Sequence, residues 1–197
     1  MELRSSRLKP RRKKKVVYRL RYQIYKEYGY IDPADFPNGE MRDEDDDHSI
    51  SFLALKNNQP VGTIRLIYGQ KKEDFPTFRM WNVDFSKFSV PFSKIGEISK
   101  FGIVNSKNLK NLKFWIWLGM MKRAYKWSKK LGLTCWVFVT SSKIVSDIKK
   151  KFYTPVHPFF TLKETELNIK ERKVVAGFFQ KFNPFCYFLN LKEVGKI

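Results

Sequence analysis

The sequence predicts one α/β or α+β domain, with a central mixed, mostly antiparallel sheet flanked by helices. The order of periodicities is helix, hairpin, strand, helix, strand, helix, strands, which suits a sheet with helices packed on it better than a bundle or a barrel. Length agrees, since 197 residues, 43% of them hydrophobic and 18 of them Phe, suffice for one core. There is also no internal repeat and no run near the roughly 18 apolar residues of a membrane span.

Residues 1–14 read as a basic, flexible arm, and 15–197 as the single domain. Val16, Val17, Leu20, Ile24, Tyr25 and Tyr28 recur at helical spacing, so a first helix runs to Tyr28 and stops by Gly29. Ile31 to Pro37 is loop, and the acidic cluster Glu40, Asp43, Glu44, Asp45, Asp46 and Asp47 follows. Ile50–Leu55 and Pro60–Tyr68 form a hairpin around the polar turn Lys56-Asn57-Asn58-Gln59. Pro76 and Pro91 argue against long regular elements between Gly69 and Ile95. Glu97 to Val104 is the next strand. Asn105 to Lys110 is a basic loop before a long aromatic helix, Leu112 to Lys130, capped by Gly132. Within that helix Phe114, Leu118, Met121 and Tyr125 are spaced to form a core face, with an acyl tunnel as the alternative use of the same stripe. Leu133–Thr140 is nearly all apolar, as a buried central strand is. Ser141 or Ser142 caps a short helix to Lys151, and Phe159–Leu162 and Lys173–Gln180 are late strands.

The formal charge is +20, from 39 Lys plus Arg against 19 Asp plus Glu. Such a balance favours anionic partners and says nothing about fold. Nucleic acid, an anionic membrane face, an acidic carrier protein and a phosphorylated cofactor all qualify, and lysine-rich composition alone explains the charge without any partner. Cys135 and Cys186 lie far apart in apolar runs and are expected to be reduced core residues. The basic N-terminus has no apolar segment behind it, so a cytoplasmic protein is expected, with peripheral association at the inner membrane face as an option.

The most informative segment is Glu97-Ile98-Ser99-Lys100-Phe101. Strand alternation puts Glu97, Ser99 and Phe101 on one side and Ile98 and Lys100 on the other. A carboxylate in an apolar strand is paired, hydrated or functional, because burying it alone is too costly. Arg65, at the end of Gly62-Thr63-Ile64-Arg65-Leu66, offers a rigid fork suited to a carboxylate or phosphate; the plain alternative is an exposed cation ending a strand. Arg21 lies between apolar positions of the first helix and calls for an internal partner among Asp43, Asp45 and Asp46, with Asp45 the best single choice. The acidic cluster lacks the spaced Asn and Gly of a calcium loop, and His48 and His157 are far apart, so no metal is expected. With only those two histidines, Ser141-Ser142 is a poor candidate for a triad.

Four pieces in order carry a resemblance: Leu20-Arg21-Tyr22-Gln23-Ile24-Tyr25, the acids Asp43 and Asp45 to Asp47, Gly62 to Leu66, and Glu97 to Phe101. Together they resemble the acyl-homoserine-lactone synthase and N-acyl amino acid synthase branch of the GNAT acyltransferase superfamily. The resemblance implies a GNAT-like fold and transfer of a fatty acyl group from an acyl carrier protein or acyl-coenzyme A thioester to a small amine, an amino acid first. It implies that Glu97 is the general base, with Arg65, Arg21 and Asp45 in the catalytic network. Asp43, Asp46, Ser99, Lys100 and Phe101 would bind substrate. Asn105, Lys107, Lys110 and Lys113, ahead of the long helix, would receive the carrier's phosphopantetheine or the cofactor's phosphates. The donor would be a substrate, with no permanently bound cofactor.

Two departures bear on the reading. The family usually has arginine where Lys100 stands, which removes planar bidentate pairing. Tyr30 and Ile31 stand where homoserine-lactone synthases carry a tryptophan. Lactone synthesis from S-adenosylmethionine is therefore the runner-up, and acylation of ornithine a further variant. From another class, a non-enzymatic module binding nucleic acid or an anionic membrane through Arg4–Lys15 is the alternative, although no zinc finger or RNA-binding signature is present.

Overall fold

The computed structural model describes residues 10–80, 89–141, 145–146, 156–161 and 184–191. Helix α1 (Pro10–Glu27) precedes the hairpin of β1 (Ser49–Lys56) and β2 (Gln59–Tyr68). A short helix α2 (Pro76–Met80), strand β3 (Ile95–Ile103), helix α3 (Lys113–Lys130) and strands β4 (Cys135–Ser141), β5 (Val156–Thr161) and β6 (Pro184–Asn190) follow. The sheet order is β1-β2-β3-β4-β6-β5. Every pair is antiparallel except β3–β4, which α3 connects in parallel. The expected mixed, mostly antiparallel sheet flanked by helices is present.

Some boundaries differ from expectation. Helix α1 begins at Pro10, so residues 10–14, four of them basic and all expected as arm, are its first turns. Proline is tolerated in a first turn, and Arg and Lys are good helix formers. Residues 1–9 lie outside the described residues, as do Lys173–Gln180 and most of the helix expected to end at Lys151. Strand β6 has no counterpart in the sequence reading. Its first residue is proline, a position where a missing N–H is tolerated.

The hairpin turn is tight because Asn57 and Asn58 both adopt positive φ, +49° and +62°, as a two-residue hairpin requires. One face of the sheet packs on α3 through Phe52, Ala54, Ile64, Leu66 and Ile98 against Ile116, Met120 and Ala124. The buried stripe of α3 is Ile116, Met120, Ala124 and Ser128, not the expected Phe114, Leu118, Met121 and Tyr125, which are half-buried flanks. Small residues set this rotation. A Cβ on Gly62 would sit 3.2 Å from both Ile116 Cγ2 and Met120 Cε, so the helix lies close where the strand has no side chain. Helix α3 ends in a Schellman motif around Gly132 (φ +69°), with Gly132 N donating to Lys129 O and Leu133 N to Ser128 O. Both cysteines are free and buried.

The other face carries α1, the acidic segment, α2 and the cluster Ile67, Phe75, Phe78, Ile95 and Val137. Here β3 breaks the simple alternation. Its pairing with β2 shifts between Arg65↔Ser99 and Thr63↔Gly102, and Lys100, inside the shift, has φ +49°. This is a β-bulge. Before it Ile98 faces α3; after it Ile103 does so instead, while Gly102 turns to α1, where a Cβ would meet Ile24 Cγ2 at 2.7 Å. One extra residue has inverted the facing of the strand.

Strands β3 and β4 pair over only four positions, from Ile95↔Cys135 to Ile98↔Phe138. Beyond these, β3 continues to Ile103 and β4 to Ser141 without each other. The parallel pair opens there, beside Ser99, Lys100 and Phe101.

Candidate active site

The short 3-10 segment Glu44–His48 lays its carboxylates under α1 and against β2. Arg21 is fully buried; it donates through Nη1 to Asp46 Oδ1 (2.6 Å) and through Nη2 to Ser51 Oγ (2.6 Å) on β1. Arg65, 1% exposed, ion-pairs with Asp43 and lies 3.3 Å from Asp46 Oδ1, while its Nε donates to Ser99 Oγ (3.0 Å). Lys100 Nζ reaches Asp43 Oδ2 at 3.2 Å. Arg79, from α2, takes both oxygens of Asp45 at 3.1 and 3.2 Å. Asp46 Oδ2 also accepts from the Asp43 backbone N–H (3.1 Å), which holds the acidic turn closed. One ionic lattice thus joins α1, the acidic turn, β1, β2, α2 and β3.

Glu97 lies on the same face of β3 as Ser99, opposite Ile67 of β2, and is 4% exposed. Its carboxylate accepts from the Thr77 backbone N–H at Oε2 (3.1 Å) and from the Thr77 hydroxyl at Oε1 (2.9 Å). Burial pushes the Glu97 carboxyl up to about 7, against the Thr77 bonds and Arg65, which favour the anion. Asp43 moves the opposite way: burial alone would raise it, but Lys100 and Arg65 outweigh burial and hold it below the usual carboxylate range. Burial lowers the Lys100 ammonium, with Asp43 opposing. Two carboxyl groups in one site, one ionised throughout the physiological range and one titrating near neutrality, can divide charge stabilisation from proton transfer.

Glu97, Arg65, Arg21, Asp43, Asp45, Asp46, Ser99 and Lys100 converge through this lattice and its sheet face. Arg65 is buried at the centre of the lattice, which sets aside the plain alternative of an exposed cation at a strand end. Two expectations are corrected. The direct partner of Arg21 is Asp46, while Asp45 is held by Arg79. Lys100 shares the carboxylate side with Glu97 and Ser99, because the bulge turns it there. Phe101 is 39% exposed beside the strand opening. Lys113 Nζ meets Asn105 Oδ1 (3.4 Å) at the start of α3, with Lys107 and Lys110 exposed in the turn before it. Along the chain, Asn105, Lys107, Lys110 and Lys113 all follow the end of β3 at Ile103. Among the described residues no group of three or more His, Cys, Asp or Glu side chains could hold a metal.

The sequence reading missed Thr77, Arg79 and Ser51. Pro76 was the available signal, since proline favours the first helical position and so announces a helix whose next residue, Thr77, points free N–H groups outward.

The chain matches the family described as N-acyl amino acid synthase FeeM over residues 16–156. It belongs to that family. The match spans the whole lattice and Glu97, and it places the chain in the acyl-homoserine-lactone synthase and N-acyl amino acid synthase branch of the GNAT superfamily, whose activity is acyl transfer from a thioester to an amine-type acceptor. Among solved structures, the AHL synthase LasI is similar with a TM-score of 0.65 at 16% identity, covering 96% of this chain and 87% of LasI. FeeM itself, an N-acyl amino acid synthase from uncultured soil microbes, gives 0.60 at 15%, covering 95% of each chain. BjaI, a CoA-dependent acyl-homoserine lactone synthase solved with SAM and isopentyl-CoA, gives 0.59 at 16%, covering 90% of this chain and 75% of BjaI. At these identities the likeness establishes the fold. No curated protein matches the sequence.

Proposed function

We propose that this protein moves a fatty acyl chain from a carrier-linked thioester to the amine of an amino acid, with Glu97 as general base. The observation that carries the reading is the Glu97 carboxyl itself: buried, fixed by two bonds from Thr77 and titrating near 7. A base poised near the working pH is what amine acylation needs, because the attacking nitrogen must lose a proton as its bond to carbon forms. In the proposed step the amine nitrogen bonds to the thioester carbon and its proton passes to Glu97. Collapse of the tetrahedral intermediate breaks the carbon–sulfur bond, and the leaving thiolate takes a proton back. Backbone N–H groups where β3 and β4 part would stabilise the oxyanion.

The opening between β3 and β4 supports a route for the donor, leading past Phe101 toward the start of α3. That helix has no acidic residue in its first turn and no side-chain cap on its N-terminal amides, as suits a phosphate-bearing arm. The lattice bears on the acceptor. Asp43, Asp45 and Asp46 are each engaged by arginine or lysine, so they already have counter-charges, which weighs against the cationic sulfonium of S-adenosylmethionine as acceptor.

The test supplies purified protein with acyl carrier protein thioesters or acyl-coenzyme A and, separately, amino acids or S-adenosylmethionine, and identifies products by mass spectrometry. N-acyl amino acids are expected. Acyl-homoserine lactone alone would replace this reading with the runner-up, and no new amide from either donor would overturn it.

A further inference from the structure

We infer that the outer face of α3 is a docking surface for an anionic phospholipid bilayer. The argument does not depend on the acyl-transfer reading. Helix α3 turns Ile116, Met120, Ala124 and Ser128 to the sheet, and at 3.6 residues per turn Trp115, Lys122, Lys126 and Lys129 lie on the opposite side. Six of its residues are cationic (Lys113, Lys122, Arg123, Lys126, Lys129 and Lys130) and none is acidic. Lys122, Lys126, Lys129 and Lys130 are all exposed. Lys122 with Lys126, and Lys126 with Lys130, are like charges four apart, an arrangement that destabilises a helix in water. No acid on the helix relieves it.

Tryptophan decides between anionic occupants. Trp115 is 56% exposed and Trp127 42%, two of the three large hydrophobic side chains left exposed among the described residues. They stand twelve residues apart, about 18 Å along the axis and roughly 120° around it, so Trp115 lies on the lysine face while Trp127 lies at its edge, beside Lys130. Lys130 Nζ lies 5.2 Å from the Trp127 ring centroid, which pairs a cation with an indole at one end. Indoles settle at the headgroup level of a bilayer, and lysines beside them gain from the negative surface potential. A polar carrier protein would use the charge but not an indole 56% exposed among the lysines, and a convex helix face offers no groove for a nucleic acid strand.

The test is sedimentation of the full chain with vesicles of phosphatidylcholine alone or mixed with phosphatidylglycerol, at physiological salt. Binding is expected only with phosphatidylglycerol. A lysine near such a surface contributes about fivefold in partitioning, so Lys122→Glu with Lys126→Glu should weaken binding by roughly tenfold or more. Trp115→Ala with Trp127→Ala should weaken it too, and brominated lipids should quench the wild-type indole fluorescence. Each variant is compared at matched circular dichroism, and Lys126→Gln with Lys129→Gln provides a milder pair. Turnover with soluble donors should be unchanged in the lysine variants, so a failed vesicle result leaves the acyl-transfer assay standing by itself. Absence of binding, or binding that survives charge reversal on α3, overturns the inference. So does a finding that the same variants abolish capture by an acidic carrier protein and leave the vesicle result unaltered.

Discussion

Thr77 grips both oxygens of Glu97, one through its backbone N–H at 3.1 Å and the other through its hydroxyl at 2.9 Å. The two residues are twenty apart in the chain and come from different elements, α2 and β3. Thr77 therefore fixes the direction of the carboxylate and favours its anion in a setting that otherwise disfavours charge.

A pH profile should show this. Glu97 acts as a base only when ionised, so turnover should rise with pH along a limb centred near 7. Thr77→Val keeps the backbone bond but loses the hydroxyl bond to the anion, so the limb should move to higher pH. Glu97→Gln should lose roughly 10²–10⁴-fold in kcat, the usual range for removing a general base, and abolish the limb. Protonation of the substrate amine affects all variants alike, so the displacement between wild type and Thr77→Val isolates the carboxyl. A limb unmoved by Thr77→Val would remove Glu97 from the proton path.

The same residue should cost stability. The Glu97 carboxyl titrates near 7 in the folded chain and near 4.3 in an unfolded one. Between those values the folded state holds more protons, so this group makes stability fall as pH rises from about 4 to above 7. Glu97→Gln cannot ionise, and Thr77 can donate to the amide oxygen with its N–H while its hydroxyl accepts from the amide nitrogen. Thermal unfolding should show the variant more stable than wild type at pH 8.5, by about 1–3 kcal/mol, with the advantage shrinking by pH 5. A variant less stable at both pH values would contradict it.

How much of this was visible beforehand follows from the physics of each element. The hairpin announced itself because two apolar runs flank the polar turn Lys56-Asn57-Asn58-Gln59. The need of Arg21 for a buried carboxylate was legible because a cation between apolar helix positions has to be neutralised. Its choice of Asp46 over Asp45 was not, since that depends on which carboxylate Arg79 claims, and Arg79 sat in a connection with no periodicity to read. The bulge at Lys100 was hidden for a different reason. Lysine carries no sign of a left-handed backbone, so alternation was the only available rule, and it assigned Lys100 to the wrong face. Strand β6 escaped because proline at its start reads as a break.

Lys100 combines two roles that substitution can separate. Lys100→Asn should keep the bulge, because asparagine tolerates a left-handed backbone, but release Asp43 from its ammonium partner. Lys100→Val loses the ion pair and puts a β-branched side chain on a left-handed backbone, which it fits worse than lysine does. Urea unfolding should rank wild type above asparagine and asparagine above valine. Equal losses would show that the bulge tolerates a branched residue.

The lysines before α3 bear on the donor. Acyl carrier proteins are acidic, and complementary charge speeds encounter. Lys107→Glu with Lys110→Glu should raise KM for an acyl carrier protein thioester and change that for acyl-coenzyme A much less. Added salt should have a parallel effect on the carrier alone, since screening sets in over about 8 Å at physiological ionic strength. Equal losses with both donors would indicate damage to a shared pocket.

The strand order has a consequence for synthesis. Every residue of the ionic lattice, with Thr77 and Glu97, precedes the end of β3 at Ile103, so the chemistry-bearing half is made first. Strand β6 then inserts between β4 and β5, which are made before it. Until β6 leaves the ribosome, the apolar edge of β4 from Cys135 to Val139 has no antiparallel neighbour, for several seconds at ~5–20 residues per second. An open edge of that kind is a template for pairing between chains. Expression yield should therefore respond more sharply to changes in β6 than to changes in the lattice itself, and to chaperones that shield nascent strands.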